Sequence, residues 1–242
     1  MKSEVIDLNS EDTGCEEVDD FPLQISRAVG ALLGDHPVVC GGLDLVTNIV
    51  SNKCYKLENT KQYTEFATMQ KPRFYAGIIP HEKGLWITGG RDETASGNIW
   101  KSTEFILSSG NSIRGPDLPS GLMKHAMSKL NSSTSMIINE YESWYFDHNT
   151  EAFSGGPRLL EYRYGHTAGL IKDSVYTEEK RILVVGGLKS VEWLVSGTWE
   201  QGNSKHVNTS QNILPKILAR SRGIFIKHYN LIACKSAFKK NG

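Results

Sequence analysis

The feature that most constrains this chain is an internal repeat with a period near 48 residues. Short apolar runs closed by a glycine pair occur three times: Val38-Val39-Cys40-Gly41-Gly42, Leu85-Trp86-Ile87-Thr88-Gly89-Gly90 and Ile182-Leu183-Val184-Val185-Gly186-Gly187. Gly41 and Gly89 stand 48 residues apart, and Gly89 and Gly186 stand 97 apart, close to two periods. A degenerate copy is expected near residue 139, where Met136-Ile137-Ile138 runs into Asn139-Glu140. One period beyond Gly186, Leu231-Ile232-Ala233 supplies a fifth.

Each copy predicts four short strands. A β-rich stretch precedes the apolar run, as in Ala28–Leu33 and His166–Ile171. A second follows it at Lys53–Leu57, Ser102–Ile106, Ser143–Asp147 and Val191–Val195. An aromatic comes about ten residues later, Tyr63, Phe153 or Trp199, with Ile113 standing in for it in the second copy. Gly, Pro, Asn and Asp punctuate the joins. A four-stranded antiparallel sheet of this length cannot bury both faces alone. Stacking such sheets around an axis covers the faces and leaves only short edges. The expected fold is therefore all-β, a β-propeller of about five four-stranded antiparallel blades, forming a single domain over 1–242. Blades are expected at 25–69, 73–118, 122–159 and 163–207. A composite blade is expected from 3–21 and 213–236, so that pairing of terminal strands closes the ring, with Leu231–Ala233 beside Val5–Ile6. Gly41, Gly42, Gly89, Gly90, Gly186 and Gly187 are expected to be structural, because Gly permits positive φ and close backbone approach.

Composition fits that reading and narrows the function. The 242 residues include 23 Gly, which many tight turns require. Lys plus Arg and Asp plus Glu are both 27, so no basic excess points to nucleic acid. No apolar run reaches the roughly 18 residues of a membrane-spanning helix, and the opening Met1–Asp7 lacks the apolar core of a signal peptide. A monomer without membrane insertion is expected.

The Gly pairs, the downstream aromatics and the near-50-residue period resemble kelch repeats. Val39-Cys40-Gly41-Gly42 with Cys54-Tyr55, and Gly115-Pro116-Asp117-Leu118-Pro119 with His125, resemble invertebrate, often extracellular, kelch-type proteins. The third and fifth copies depart from the pattern by lacking the Gly pair. The resemblance implies a non-enzymatic scaffold that presents loops to a protein partner, and an acidic peptide is the partner expected if a ring of arginines points into the channel. Two alternatives remain open: the substrate-recognition part of a cullin-type ubiquitin ligase adaptor without its helical region, and a carbohydrate-active propeller enzyme. The resemblance favours an extracellular location, and a chain complete without a signal peptide favours the cytoplasm.

Cys40 ends a second strand and Cys54 opens the third strand beside it. A disulfide between them is one expectation in an oxidising compartment, and two reduced thiols are the other. Cys15 and Cys234 would share the composite blade on strands that are not neighbours.

Arg27, Arg73, Arg163 and Arg220 each open a first strand, which suggests an arginine ring at one mouth of a central channel. Arg suits carboxylate recognition through its planar fork. The competing expectation is that each Arg binds backbone carbonyls of a neighbouring blade. The loop beginning Arg91-Asp92 is a second candidate surface. No catalytic constellation is expected. His81 and His148 are expected in exposed loops, and no Cys-x-x-Cys or clustered His predicts a metal. No cofactor is expected, since no phosphate-binding Gly-rich loop occurs.

Overall fold

The computed structural model describes residues 3–5, 16–92, 98–172, 180–186, 191–195 and 197–201. Among these the chain is all-β, with twenty strands and no helix. Strands β1 (Ser3–Val5) and β2 (Glu16–Val18) pair antiparallel, as do the two-residue β3 (Ile25–Ser26) and β6 (Leu43–Asp44). The first four-stranded sheet is β4 (Val29–Leu33), β5 (His36–Cys40), β7 (Lys53–Leu57) and β8 (Tyr63–Thr68). The second is β9 (Gly77–His81), β10 (Gly84–Thr88), β11 (Thr103–Leu107) and β12 (Ser112–Arg114). The third is β13 (Ala126–Lys129), β14 (Thr134–Ile138), β15 (Ser143–Asp147) and β16 (Ala152–Gly155). The fourth is β17 (Thr167–Lys172), β18 (Lys180–Val185), β19 (Val191–Val195) and β20 (Thr198–Gln201). Every four-stranded sheet is an antiparallel meander in chain order. Residues 213–236, expected in a composite blade, lie outside the described residues, as do Cys15 and Cys234.

The sheets pack face to face in chain order, with first strands adjacent: β4 against β9, β9 against β13, and β13 against β17. The period-two alternation of β10 explains how. Leu85 and Ile87 point to the first sheet and join Ala31, Val38 and Ile106, whereas Trp86 points to the third and meets Phe105, Ile137 and Phe146. One sheet on, Ile137 faces back, while Met136 and Ile138 face forward onto Ile182 and Val184. Central strands with both faces covered read as continuous apolar runs. That is why these second strands stood out in the sequence.

The glycine pairs sit where one sheet meets the lead-in to the next. Gly41 and Gly89 have φ of +66° and +58°, in the left-handed region. A Cβ at either would lie 2.3 Å from a carbonyl oxygen, that of Arg73 or Leu122. The second glycine of each pair donates its N–H to that same carbonyl, Gly42 to Arg73 at 2.7 Å and Gly90 to Leu122 at 2.8 Å. The pair thus forms a backbone joint between consecutive sheets.

Cys40 and Cys54 are directly opposed in the β5–β7 register. Their sulfurs lie 2.04 Å apart, at disulfide distance, with a Cα separation of 4.0 Å.

Candidate partner-binding face

Antiparallel meanders place the connections between second and third strands at one end of the sheets. The segments leading from each fourth strand into the next first strand lie at that same end. In the first two sheets the glycine joint fixes where the connection starts. Structural equivalence then follows from backbone geometry. Arg27, Tyr75, Lys124 and Gly165 all have positive φ, between 55° and 66°, immediately before a first strand begins. Tyr75 N–H donates to the Arg27 carbonyl at 3.1 Å, and Lys124 N–H to the Tyr75 carbonyl at 2.8 Å, so these positions form a backbone chain from sheet to sheet.

This geometry corrects the arginine ring. Arg27 belongs with Tyr75 and Lys124, two residues out of phase with Arg73 and Arg163. The true equivalents of those two arginines are Ile25 and Leu122. Arg73 is 1% exposed and Arg163 is 0% exposed. Neither presents its guanidinium to a partner. Arg73 donates to the carbonyls of Gly89 (2.6 Å) and Ser102 (2.8 Å), to Ser102 Oγ, and to Glu104 Oε1 at 2.8 Å. Arg163 repeats this with Gly186 (3.1 Å) and Glu192 (2.8 Å). The carbonyls bound belong to the arginine's own sheet, not to a neighbour. Burial draws the Arg73 pKa down, and the adjacent Glu104 carboxylate opposes that. Arg220 and Gly187 lie outside the described residues.

Each carboxylate also closes the lead-in segment. Glu104 accepts the N–H groups of Gln70 (2.6 Å) and Lys71 (3.2 Å), and Glu192 accepts those of Leu160 (2.8 Å) and Glu161 (3.3 Å). In the other two sheets the matching positions are apolar. Ile25 and Tyr55 share one cluster, and Leu122 and Trp144 another. Pro22 and Pro119 stand where Gln70 and Leu160 donate, and proline has no N–H to satisfy. Proline with an apolar pair alternates with a donating N–H and an Arg–Glu pair. This signal was present in the sequence, and only the register made it readable.

At the surface of this end lies an array of cations and aromatics that sequence reasoning missed apart from Arg27 and Arg91. The Lys124 ammonium sits 4.2 Å from the Tyr75 ring centroid and 4.0 Å from that of Tyr164. The Arg27 guanidinium lies 5.1 Å from Tyr75 and 5.5 Å from Phe74, and that of Arg91 lies 5.6 Å from Phe74. Cation–aromatic contacts of this kind contribute roughly 0.5–1 kcal/mol each at exposed sites. The common signal is chain position: Phe74, Tyr75, Lys124 and Tyr164 all lie in lead-in segments.

The connections themselves carry apolar groups. In the first, Asp44 accepts hydrogen bonds from the Val46 N–H and the Thr47 hydroxyl, both at 2.9 Å, which fixes a turn. The Val46 N–H is the main cause holding the Asp44 carboxyl below its usual range. That turn holds Leu45, Val46 and Ile49 in solvent, Val46 at 71% exposure. The second connection exposes Ile99, and Asp92 braces it by accepting from the Asn98 N–H at 3.2 Å. The third exposes Tyr141, stacked edge-on with Tyr162 at 5.3 Å.

His81 and His148 are not in exposed loops. They are 8% and 6% exposed, because they face each other between the second and third sheets. Among the described residues no group of three or more His, Cys, Asp or Glu is arranged to hold a metal ion. No protein-family model matches the sequence, and comparison with curated proteins finds no match.

Proposed function

We propose that this chain is a kelch-type β-propeller acting as a non-enzymatic binding scaffold. Its partner surface is the end carrying the connections between second and third strands. The observation that carries the reading is the distribution of exposed apolar side chains. Of nine large hydrophobics exposed among the described residues, eight lie at this end, and only Ile113 lies elsewhere. Scattered surface hydrophobics are ordinary, whereas concentration on one face marks an interaction site. Arg27, Arg91 and Lys124 lie within the same surface, so an acidic peptide or an acidic protein segment is the partner chemistry that fits. Closure of the ring by β1, β2 and residues 213–236 belongs to the same proposal. The sequential packing of similar sheets through their first strands supports it.

The test is binding of a labelled Glu/Asp-rich peptide containing one aromatic residue, followed by fluorescence anisotropy. Lys124→Glu and Arg27→Glu should each weaken binding by about tenfold or more, and rising salt should weaken it further. Equal binding of an uncharged peptide of the same length, unaffected by these variants, would overturn the acidic-partner reading. The charge reversals belong at Arg27 and Lys124, since Arg73 and Arg163 are internal.

A further inference from the structure

The sequence holds seven histidines, and four of them, His81, His125, His148 and His166, are buried where sheets meet. His81 ends β9 in the second sheet and His148 follows β15 in the third. Their ring centroids are 4.8 Å apart across the junction. Phe105 lies 4.6 Å from the His81 ring, and Phe146 lies 5.1 Å from that of His148. This is an apolar wall around two imidazoles.

A backbone hydrogen bond fixes which form the His81 ring holds. The Lys83 N–H donates to His81 Nδ1 at 3.1 Å. A backbone N–H can only donate, so Nδ1 is bare and the neutral ring carries its proton on Nε2. Protonation would set an N–H against an N–H and break that contact. His148 Nε2 is 2.7 Å from Ser135 Oγ, and its Nδ1 is buried with no hydrogen-bond partner. A cationic His148 would bury a second donor with nothing to receive it. Two positive rings in contact would also repel each other in a poorly solvated site.

We propose that the junction between the second and third sheets is a proton-sensitive latch, closed while His81 and His148 are neutral and opened when they take up protons. The surrounding charges do not cancel this. Lys83 and Lys129 oppose further positive charge, while Glu151 favours it at His81 and Glu82 and Asp147 favour it at His148. Glu151 is itself paired with Lys83 across the same junction. Burial first, and then the neighbouring His148, push the His81 pKa down to about 4. His148 is lowered as well, mainly by burial.

The direction follows from proton linkage. The open junction binds protons near 6.5, and the closed one binds them only near 4 at His81. Stability is complete above 6.5, falls as pH drops from 6.5 towards 4, and levels off below. Between pH 7 and pH 5 the opening constant should rise about 20-fold from His81 alone.

The experiment is amide hydrogen exchange on the wild-type chain at pH 7 and pH 5, corrected for intrinsic rates. Protection should fall preferentially in Gly77–His81 and Ser143–Asp147, with Val29–Cys40 retaining its protection. Loss spread evenly over all sheets would overturn the latch. His81→Asn keeps an acceptor for the Lys83 N–H without a titrating ring, and should remove about 20-fold of the pH effect. Unchanged pH dependence in that variant would refute the role of His81. Ring-proton NMR titration of the wild type gives an independent reading that needs no variant. A His81 pKa at or above 6.5 would sink the proposal.

Discussion

The Arg73–Glu104 pair gives the sharpest quantitative test of how these sheets are held. Glu104 lies in β11 with 2% exposure, and its two oxygens receive Gln70 N–H, Lys71 N–H, Ser112 Oγ and the Arg73 guanidinium. Glu104→Gln preserves shape but turns one oxygen into a donor. Whichever way the amide is oriented, that donor meets another, at Arg73 on one side or at the Gln70 N–H on the other. The buried guanidinium also loses its counter-charge. Removing one partner of a buried pair costs about 3–5 kcal/mol, a rise of roughly 10² to 10³ or more in the unfolding constant. Arg73→Leu should fall in the same range, since it removes the guanidinium donor to the Gly89 carbonyl and takes the counter-charge from a buried carboxylate. The third sheet already uses the apolar version of this site. The triple variant Gln70→Pro, Arg73→Leu, Glu104→Trp copies Pro119, Leu122 and Trp144, and should be more stable than either single variant. The assay is urea denaturation followed by Trp fluorescence and far-UV circular dichroism, comparing midpoints at equal slope. The reasoning fails if the single variants lie within about 1 kcal/mol of wild type, a value expected of a solvated pair. It also fails if the three substitutions simply add.

Other expectations follow from the same geometry. Gly89→Ala should destabilise by more than the roughly 1 kcal/mol of an ordinary left-handed Gly-to-Ala change, because its Cβ would meet the Leu122 carbonyl; thermal unfolding reads this directly. Reduction of Cys40–Cys54, separated by 14 residues, should cost about 3 kcal/mol by loop entropy. Urea midpoints with and without reductant measure it, and Cys40→Ala/Cys54→Ala should lose the reductant response. His125 is buried, with its pKa pushed down to about 3 chiefly by burial and then by His166. It should therefore add to the loss of stability as pH falls from 6.5 towards 3, and His125→Gln should shrink the acid-induced drop in melting temperature. Tyr75→Ala should change the unfolding free energy from urea titration by no more than about 1 kcal/mol while weakening binding of the acidic peptide.

Much of the strand pattern was legible from the chain. Lys53–Leu57, Ser143–Asp147 and Val191–Val195 are strands with the expected bounds, and Met136–Ile138 is a second strand despite its missing Gly pair. Apolar runs at a fixed period reveal such strands because central strands covered on both faces must be apolar along their whole length. The site was read less well. Residue type makes Arg27 equivalent to Arg73, since both precede a first strand, but backbone φ and the joint hydrogen bonds set the phase, and neither is written in residue type. His81 and His148 are polar residues beside turns, which composition alone assigns to solvent. Only the packing of the third sheet on the second covers them.

The sequence by itself determined the strand pattern, the glycine joints and the opposition of Cys40 to Cys54, because each depends on local spacing along adjacent strands. Tertiary structure decided the rest. It turned two arginines inward onto Glu104 and Glu192, brought two imidazoles into contact, and gathered cations and aromatics from separate lead-in segments onto one end. These partners are about 30 to 90 residues apart in the chain. Burial and pairing between such residues depend on which sheet faces which, and no local pattern encodes that.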